Sequence, residues 1–279
     1  MITNRLISIF AKYFPSIFRK LVQMDIINEP SWVNLKLDIK NGQAAYLKDE
    51  HRNRTWFCDF IGLLKGPAIL EIGAGGMFEI ATLKTRGKLA DCSYHIIDIS
   101  DEVISEGKKL HTEVDFKRGS INKIPYPDNT FNVVYCRHVI EHQPDYKEAV
   151  SEMLRVSKDI VIINLFRWSL SDPILERKKK ISNSYNIHSL LDYCRRTSTS
   201  LDYFILLYGE TPGHNQYDNL DIVRSKDHLI LFLSKTASIY SNELKKSLGP
   251  YRTYLYEHPY DTTPPTYAPQ VKLAQKPPL

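Results

Sequence analysis

A chain of 279 residues, 43% hydrophobic and 25% charged, can bury a sizeable core, which excludes a mainly disordered or fibrous protein. The net charge of +5 is mild, and the longest basic cluster, Arg177–Lys180, reads as a solvated helix end, so a nucleic-acid partner is not expected. Cys58, Cys92, Cys136 and Cys194 form no CxxC pair, and no apolar run approaches the ~20 residues of a membrane span, so a reducing, cytoplasmic setting is the simplest expectation.

Residues 1–66 are expected to form an N-terminal helical arm or cap. Its first 24 residues carry Arg5, Lys12, Arg19 and Lys20, no acid, and an interleaved set of apolar side chains. Such a segment packs on a domain or lies on an anionic membrane surface, and Pro15 interrupts any single helix through it. From residue 67 the pattern alternates. AILEI (68–72) reads as a buried strand entering a glycine turn, residues 78–88 as a helix and SYHIIDI (93–99) as a second strand. DEVISEGKKL (101–110) has acids first and lysines last, as the helix dipole favours. VDFKRG (114–119) and FNVVYC (131–136) are further strands, 146–157 is a helix, and DIVIINLF (159–166) is a fifth strand. A helix at 187–196 and strands at 201–209 and 227–235 follow. Strands alternating with helices predict an α/β fold: a Rossmann-like, doubly wound, seven-stranded sheet, mostly parallel with its last strand antiparallel. The core domain is placed at 67–236, and residues 237–279 form a C-terminal extension with a Pro-rich tail.

The first strand runs into Glu71-Ile72-Gly73-Ala74-Gly75-Gly76-Met77-Phe78. Glycines leave the backbone bare for a ligand at the carboxyl end of a strand. A dinucleotide fingerprint would need glycine at Phe78, and the lysine of a phosphate-binding loop is absent. The acid at Glu71 disfavours a pyrophosphate and suits an ammonium or sulfonium ligand.

With these residues the chain resembles class I S-adenosylmethionine (SAM)-dependent methyltransferases of the type 11 methyltransferase-domain group, over about residues 67–164. EIGAGGM matches the family's acidic glycine turn, with Met77 in place of its third glycine. Asp98 in HIIDIS matches the acid that closes strand two and holds the ribose hydroxyls. PYPDNTF (125–131) matches the segment before strand four, and Glu152-x-x-Arg155-Val156-x-Lys158 the motif before strand five. The resemblance implies S-adenosyl-L-methionine as cofactor. It places cofactor contacts at Glu71, Gly73, Ala74, Gly75, Asp98, Ile99, Ser120, Ile121 and Cys136, with Ser120 standing where relatives carry an acid near the adenine amine.

The string His138-Val139-Ile140-Glu141-His142 is also an H-x-x-E-H pattern, the zinc signature of one peptidase class. Here it follows strand four, where the resembled family carries V-I-E-H, and a peptidase is not expected. Two readings of the loop stand. In one, Glu141 and His142 brace it through hydrogen bonds. In the other, His138, Glu141 and His142 present nitrogen and oxygen ligands to a divalent ion, as the E-x-x-E-H loops of some relatives do. The first is preferred, and no metal is assigned.

Methylation of a hydroxyl calls for a base near neutral pH, for which histidine is suited. His138 is the first candidate, His142 the second and His188 the third. Arg167, Trp168, Tyr185 and Tyr217 are candidate acceptor-pocket residues, with 209–226 as a lid. The expected acceptor is a small molecule, a saccharide or a lipid-linked glycan, methylated on oxygen. The alternatives are a catalytically silent SAM-fold binding protein and an RNA methyltransferase.

Overall fold

Alternating apolar residues along the strands give the sheet two buried faces, and each face carries its own layer of helices. The computed structural model describes Gln43 and residues 52–169, 174–176, 182–198, 202–209, 227–235 and 254–257. In chain order the elements are α1 (Arg52–Ile61), β1 (Ala68–Ile72), α2 (Phe78–Thr85), β2 (Ser93–Asp98), α3 (Asp101–Leu110), β3 (Asp115–Arg118) and β4 (Phe131–Arg137). Then come α4 (Lys147–Val156), β5 (Ser157–Leu165), β6 (Trp168–Ser169), β7 (Ile174–Glu176), β8 (Ser182–Asn186) and α5 (Ile187–Thr197). The last are β9 (Asp202–Gly209), β10 (Asp227–Ser234) and β11 (Tyr254–Glu257).

The main sheet has eight strands in the order β11-β9-β10-β5-β4-β1-β2-β3. Strands β1 to β5 run parallel, and β10 is antiparallel to both β5 and β9. The fold class is the expected one. The eighth strand, β11, was not anticipated: it lies in the segment read as a C-terminal extension and pairs with β9. Chain order reverses between β1, which leads outward to β2 and β3, and its other neighbour β4. In open α/β sheets this switch point leaves a crevice at the carboxyl ends of the strands.

On one face Leu70, Ile72, Val134, Val161 and Ile163 pack with Ala149, Val150, Met153 and Leu154 of α4 and Leu190 and Leu191 of α5. On the other, Ile69, Val133, Tyr135, Ile160 and Ile162 pack with Phe57 and Phe60 of α1 and Ile80 and Leu83 of α2. Each such fully buried side chain contributes about 1.5–3 kcal/mol relative to exposure, so the register that assigns residues to faces is firmly set. Local chemistry starts the helices. Ser100 Oγ accepts from Val103 N at 3.3 Å to cap α3, and Asn186 Oδ1 accepts from Ser189 N at 2.9 Å to cap α5.

Three local features differ from the sequence-based expectation. β5 begins at Ser157, with α4 running straight into it, rather than at 159. A second sheet, ordered β6-β8-β7, occupies the connection after β5. The segment 140–142 closes as a short 3₁₀ turn. Residues 1–24, the 210–226 connection with Tyr217, the cluster Arg177–Lys180 and the tail after 257 lie outside the described residues. Among the described residues no helix is long and apolar enough to cross a membrane.

Candidate functional site

The glycine bend stands at the switch point. Gly73 (φ 70°) and Gly75 (φ 48°) both take left-handed backbone, which only glycine adopts at no steric cost. Gly73 N donates to Ile97 O at 2.8 Å, tying the bend to β2. A Cβ at Gly73 would lie 2.6 Å from Val139 Cγ2, so the loop after β4 rests directly on the bend. A Cβ at Gly75 would meet no atom within 4 Å: the backbone there fronts open space.

Asp98, the last residue of β2, reaches the same place. Its Oδ1 accepts from Ser100 N at 2.9 Å and its Oδ2 from Gly75 N at 3.4 Å. Burial pushes the carboxyl's pKa upward, and the N–H groups of Ser100, Gly75 and Ile99 pull it back. A carboxylate has about four lone-pair positions, so these bonds leave capacity for a diol at the mouth of the bend. Ile99 beside it is half-buried. Ser120 Oγ accepts from Asn122 N at 3.2 Å, and its hydroxyl hydrogen remains to donate.

Gly73, Ala74, Gly75, Asp98 and Ile99 thus gather at one point. Other expected contacts are placed differently. Glu71 is 2% exposed and turned under the bend, where Oε2 accepts from Tyr94 OH at 2.9 Å. Strand alternation causes this, because Glu71 shares the face of Ile69. The side chains of Ile121 and Cys136 are core residues, so only their backbones face outward, and burial pushes the Cys136 thiol well above its ordinary value. Next to Glu71 a buried ion pair joins β4 to α2: Arg137 Nη1 and Tyr135 OH both donate to Glu79 Oε1, at 3.1 and 3.3 Å.

His138 follows β4 with φ 57°, a conformation non-glycine residues rarely hold. Its N–H donates to Asn164 O at the end of β5 (2.9 Å), which fixes its place at the crevice. His138 and His142 flank the Phe166 ring, with centroids at 4.9 and 5.8 Å. His188 is half-buried in the first turn of α5. Glu141 is fully buried. Its Oε1 accepts from Phe166 N at 2.6 Å and burial pushes its pKa up to about 8. That bond staples the histidine loop to β5. Among the described residues no group of three or more His, Cys, Asp and Glu is arranged to hold a metal, and Glu141, fully buried, is bonded to Phe166 N.

Trp168 and Tyr185 become register partners in the β6–β8 pair, which builds a wall beside the histidine loop. Tyr185 OH and Asn183 Nδ2 both donate to Gln143 O, at 2.6 and 2.8 Å. Two residues at the site went unread in the sequence. Gln43 donates from Nε2 to Gly76 O (3.1 Å) and Met77 O (3.2 Å). Asn164, 1% exposed, has both amide atoms buried without a partner. Nothing local marks Gln43, while Asn164 could have been noticed as a polar residue ending an apolar strand.

A second histidine chain lies at the amino end of β2, away from the bend. Ser93 Oγ is 2.9 Å from His95 Nε2, and His95 Nδ1 is 3.1 Å from Asp115 Oδ2. The order is that of a hydrolase triad, but Ser93 N–H is spent on Pro67 O. No oxyanion donor is thereby supplied at Ser93, and the chain braces β2 against β3.

Residues 70–162 match the model of a family described as "Methyltransferase domain". Over this segment the chain is similar to class I SAM-dependent methyltransferases. The chain is similar to a demethylmenaquinone methyltransferase of Renibacterium salmoninarum, at 24% identity over 190 residues, covering 66% of this chain and 75% of that protein. It is also similar to a sterol 24-C-methyltransferase of Gibberella zeae, at 25% identity, covering 43% of this chain and 33% of that protein. For several such relatives the chain spans half their length or less. A chain of the complex between the Haloferax volcanii Trm112 methyltransferase activator and a methyltransferase superposes with a TM-score of 0.50. It has 11% identity and covers 71% of this chain and 95% of that one. The cofactor of the methyltransferase family is S-adenosylmethionine, and the bare backbone at Gly75 beside the spare acceptor capacity of Asp98 fits it.

Proposed function

We propose that this chain transfers the methyl group of S-adenosylmethionine to an oxygen of a small acceptor bound between the glycine bend and the β6–β8 wall. The observation that carries the reading is Asp98 Oδ2 set 3.4 Å from Gly75 N, in front of open space. The cofactor supplies a sulfonium methyl, already a strong electrophile, so the protein's share is orientation and proton handling. Asp98 accepts from the ribose hydroxyls, and the bend at 73–76 offers bare backbone to the rest of the ligand. His138 takes the acceptor's proton on its imidazole, with His142 the second candidate and His188 the third. Phe166 spaces the first two rings, and the Glu141 staple keeps Phe166 in place. Trp168 gives the acceptor a flat aromatic neighbour, while Tyr185, 5% exposed, packs in the core and bonds Gln143 O.

Transfer to carbon is the second reading, favoured by the names of the quinone and sterol methyltransferases the chain resembles. It needs the same cofactor grip.

Calorimetry with S-adenosylhomocysteine, followed by transfer assays with hydroxylated and quinone acceptors, tests the proposal. Asp98→Ala removes two charge-assisted bonds of about 1.5–3 kcal/mol each and is expected to weaken binding at least about a hundredfold. His138→Ala is expected to keep cofactor affinity and lower turnover by roughly 10²–10⁴-fold. Unchanged turnover in His138→Ala removes the base assignment, and no binding by the intact chain removes the enzyme reading.

A further inference from the structure

The bend is held by more than Asp98. Gln43, in the N-terminal segment and 9% exposed, directs Nε2 at Gly76 O (3.1 Å), Met77 O (3.2 Å) and His111 Nε2 (3.4 Å). Two carbonyl oxygens fix which end of the amide faces the bend, because only the NH₂ group donates. The third contact shares one of the two amide hydrogens and sets His111 Nε2 as an acceptor, that is, a neutral imidazole with its proton on Nδ1, an atom buried without a partner. His111 follows α3 and is 4% exposed.

We propose that Gln43 is a positioning residue for the cofactor bend, and that it holds the bend only while His111 is uncharged, so that ligand affinity falls once His111 takes up a proton. The inference rests on the cofactor reading above. A proton on Nε2 would set an N–H donor against the N–H donors of Gln43. The amide must then leave the imidazole or rotate, and rotation turns its oxygen toward the carbonyls of Gly76 and Met77. Either course loosens the bend ahead of α2, where Gly75 N–H meets Asp98.

The charged groups that bear on His111 are Lys84, on α2, and Glu113, on the approach to β3, themselves paired at 2.6 Å. Burial, assisted by Lys84 and opposed by Glu113, holds the His111 pKa below its ordinary value of 6.5. The folded chain therefore takes up this proton less readily than the unfolded chain. The contact's contribution is complete above the ordinary imidazole value and is lost as pH falls through the lowered one.

The test is calorimetric titration of the full chain with S-adenosylhomocysteine at about pH 7.5 and at the lowest pH at which the chain stays folded, well below the ordinary imidazole value. The intact chain is expected to bind roughly tenfold more weakly at the lower pH, the loss of one to two hydrogen bonds. Gln43→Met, which keeps the volume and removes the donors, should bind roughly tenfold more weakly at the higher pH and change little between the two. His111→Asn, which cannot charge, should lose the pH dependence. Asp98 is the other buried acid at the bend, and a fall due to its protonation would persist in His111→Asn. That result, a flat profile for the intact chain, or full affinity in Gln43→Met overturns the proposal. Absence of binding at every pH defeats the cofactor reading instead. The contact is then judged by melting temperature, where the intact chain should lose more between the two pH values than Gln43→Met, and equal losses reject it.

Discussion

Met77 stands where the resembled family has its third glycine, and its backbone is left-handed, at φ 55° and ψ 39°. That conformation costs a side-chain-bearing residue about 1–2 kcal/mol. The side chain is 0% exposed and packs in the α1–α2 layer of the core, which contributes about 1.5–3 kcal/mol. Burial therefore outweighs backbone strain, and the departure from glycine is an exchange of turn comfort for core. Met77→Gly should relieve the dihedral yet lose the packing and leave a cavity. A net destabilisation of about 1–3 kcal/mol in urea unfolding is expected. A more stable variant would show that strain at this position exceeds what the packing returns. His138 shares the left-handed geometry at φ 57° but is half-buried, so far less packing offsets its strain. Strain held at a crevice by a backbone bond to Asn164 O is the pattern of a residue kept in place for its side chain.

At the scale of elements, the Glu152-x-x-Arg155 motif has a visible task. Arg155 donates from Nη2 to Ile124 O (3.0 Å) and from Nη1 to Tyr126 O (2.8 Å) and Asp128 Oδ1 (2.8 Å), while Glu152 Oε2 accepts from Ile124 N at 2.7 Å. Helix α4 thereby clamps the irregular segment that leads into β4. Arg155→Ala should cost about 1.5–3 kcal/mol, read as a lower melting temperature; an unchanged one would show that the clamp is dispensable. Arg155 holds the Glu152 pKa below the usual carboxylate value. The pair's contribution is thus present above that value and lost as pH falls through the lowered one. The motif was legible in the sequence, but its task was not, since the partners lie 27 to 31 positions away. The glycine bend and Asp98 could be read because a strand, a turn and a helix signal themselves locally. The inward turn of Glu71 was available from its parity with Ile69. The β6-β8-β7 sheet was not legible: two- and three-residue strands are too short for alternation to register, and SNSYN is polar throughout. Gln43 was hidden for the reason that hid the clamp, a separation of 33 residues from the carbonyl it serves.

For the whole molecule, the carboxyl edge of the sheet is where the elements assigned to the proposed ligand meet. The bend belongs to β1 and α2, Asp98 to β2, and the loop pressing on Gly73 to β4. A molecule seated there touches the folded arrangement alone, so its binding energy adds to folding stability. S-adenosylhomocysteine at a hundred times its dissociation constant should add about 2.7 kcal/mol. For a chain of this size each kcal/mol moves the melting temperature by about 2–4 °C, so a rise of roughly 5–10 °C is expected. Asp98→Ala, with affinity lowered at least about a hundredfold, should retain only a small fraction of that rise at the same ligand concentration. The variant's own melting temperature without ligand serves as its baseline, which separates lost binding from lost folding. A full rise in Asp98→Ala would mean that the ligand is gripped elsewhere on the chain, and the β2 carboxylate would then be only a turn-forming residue bonded to Ser100.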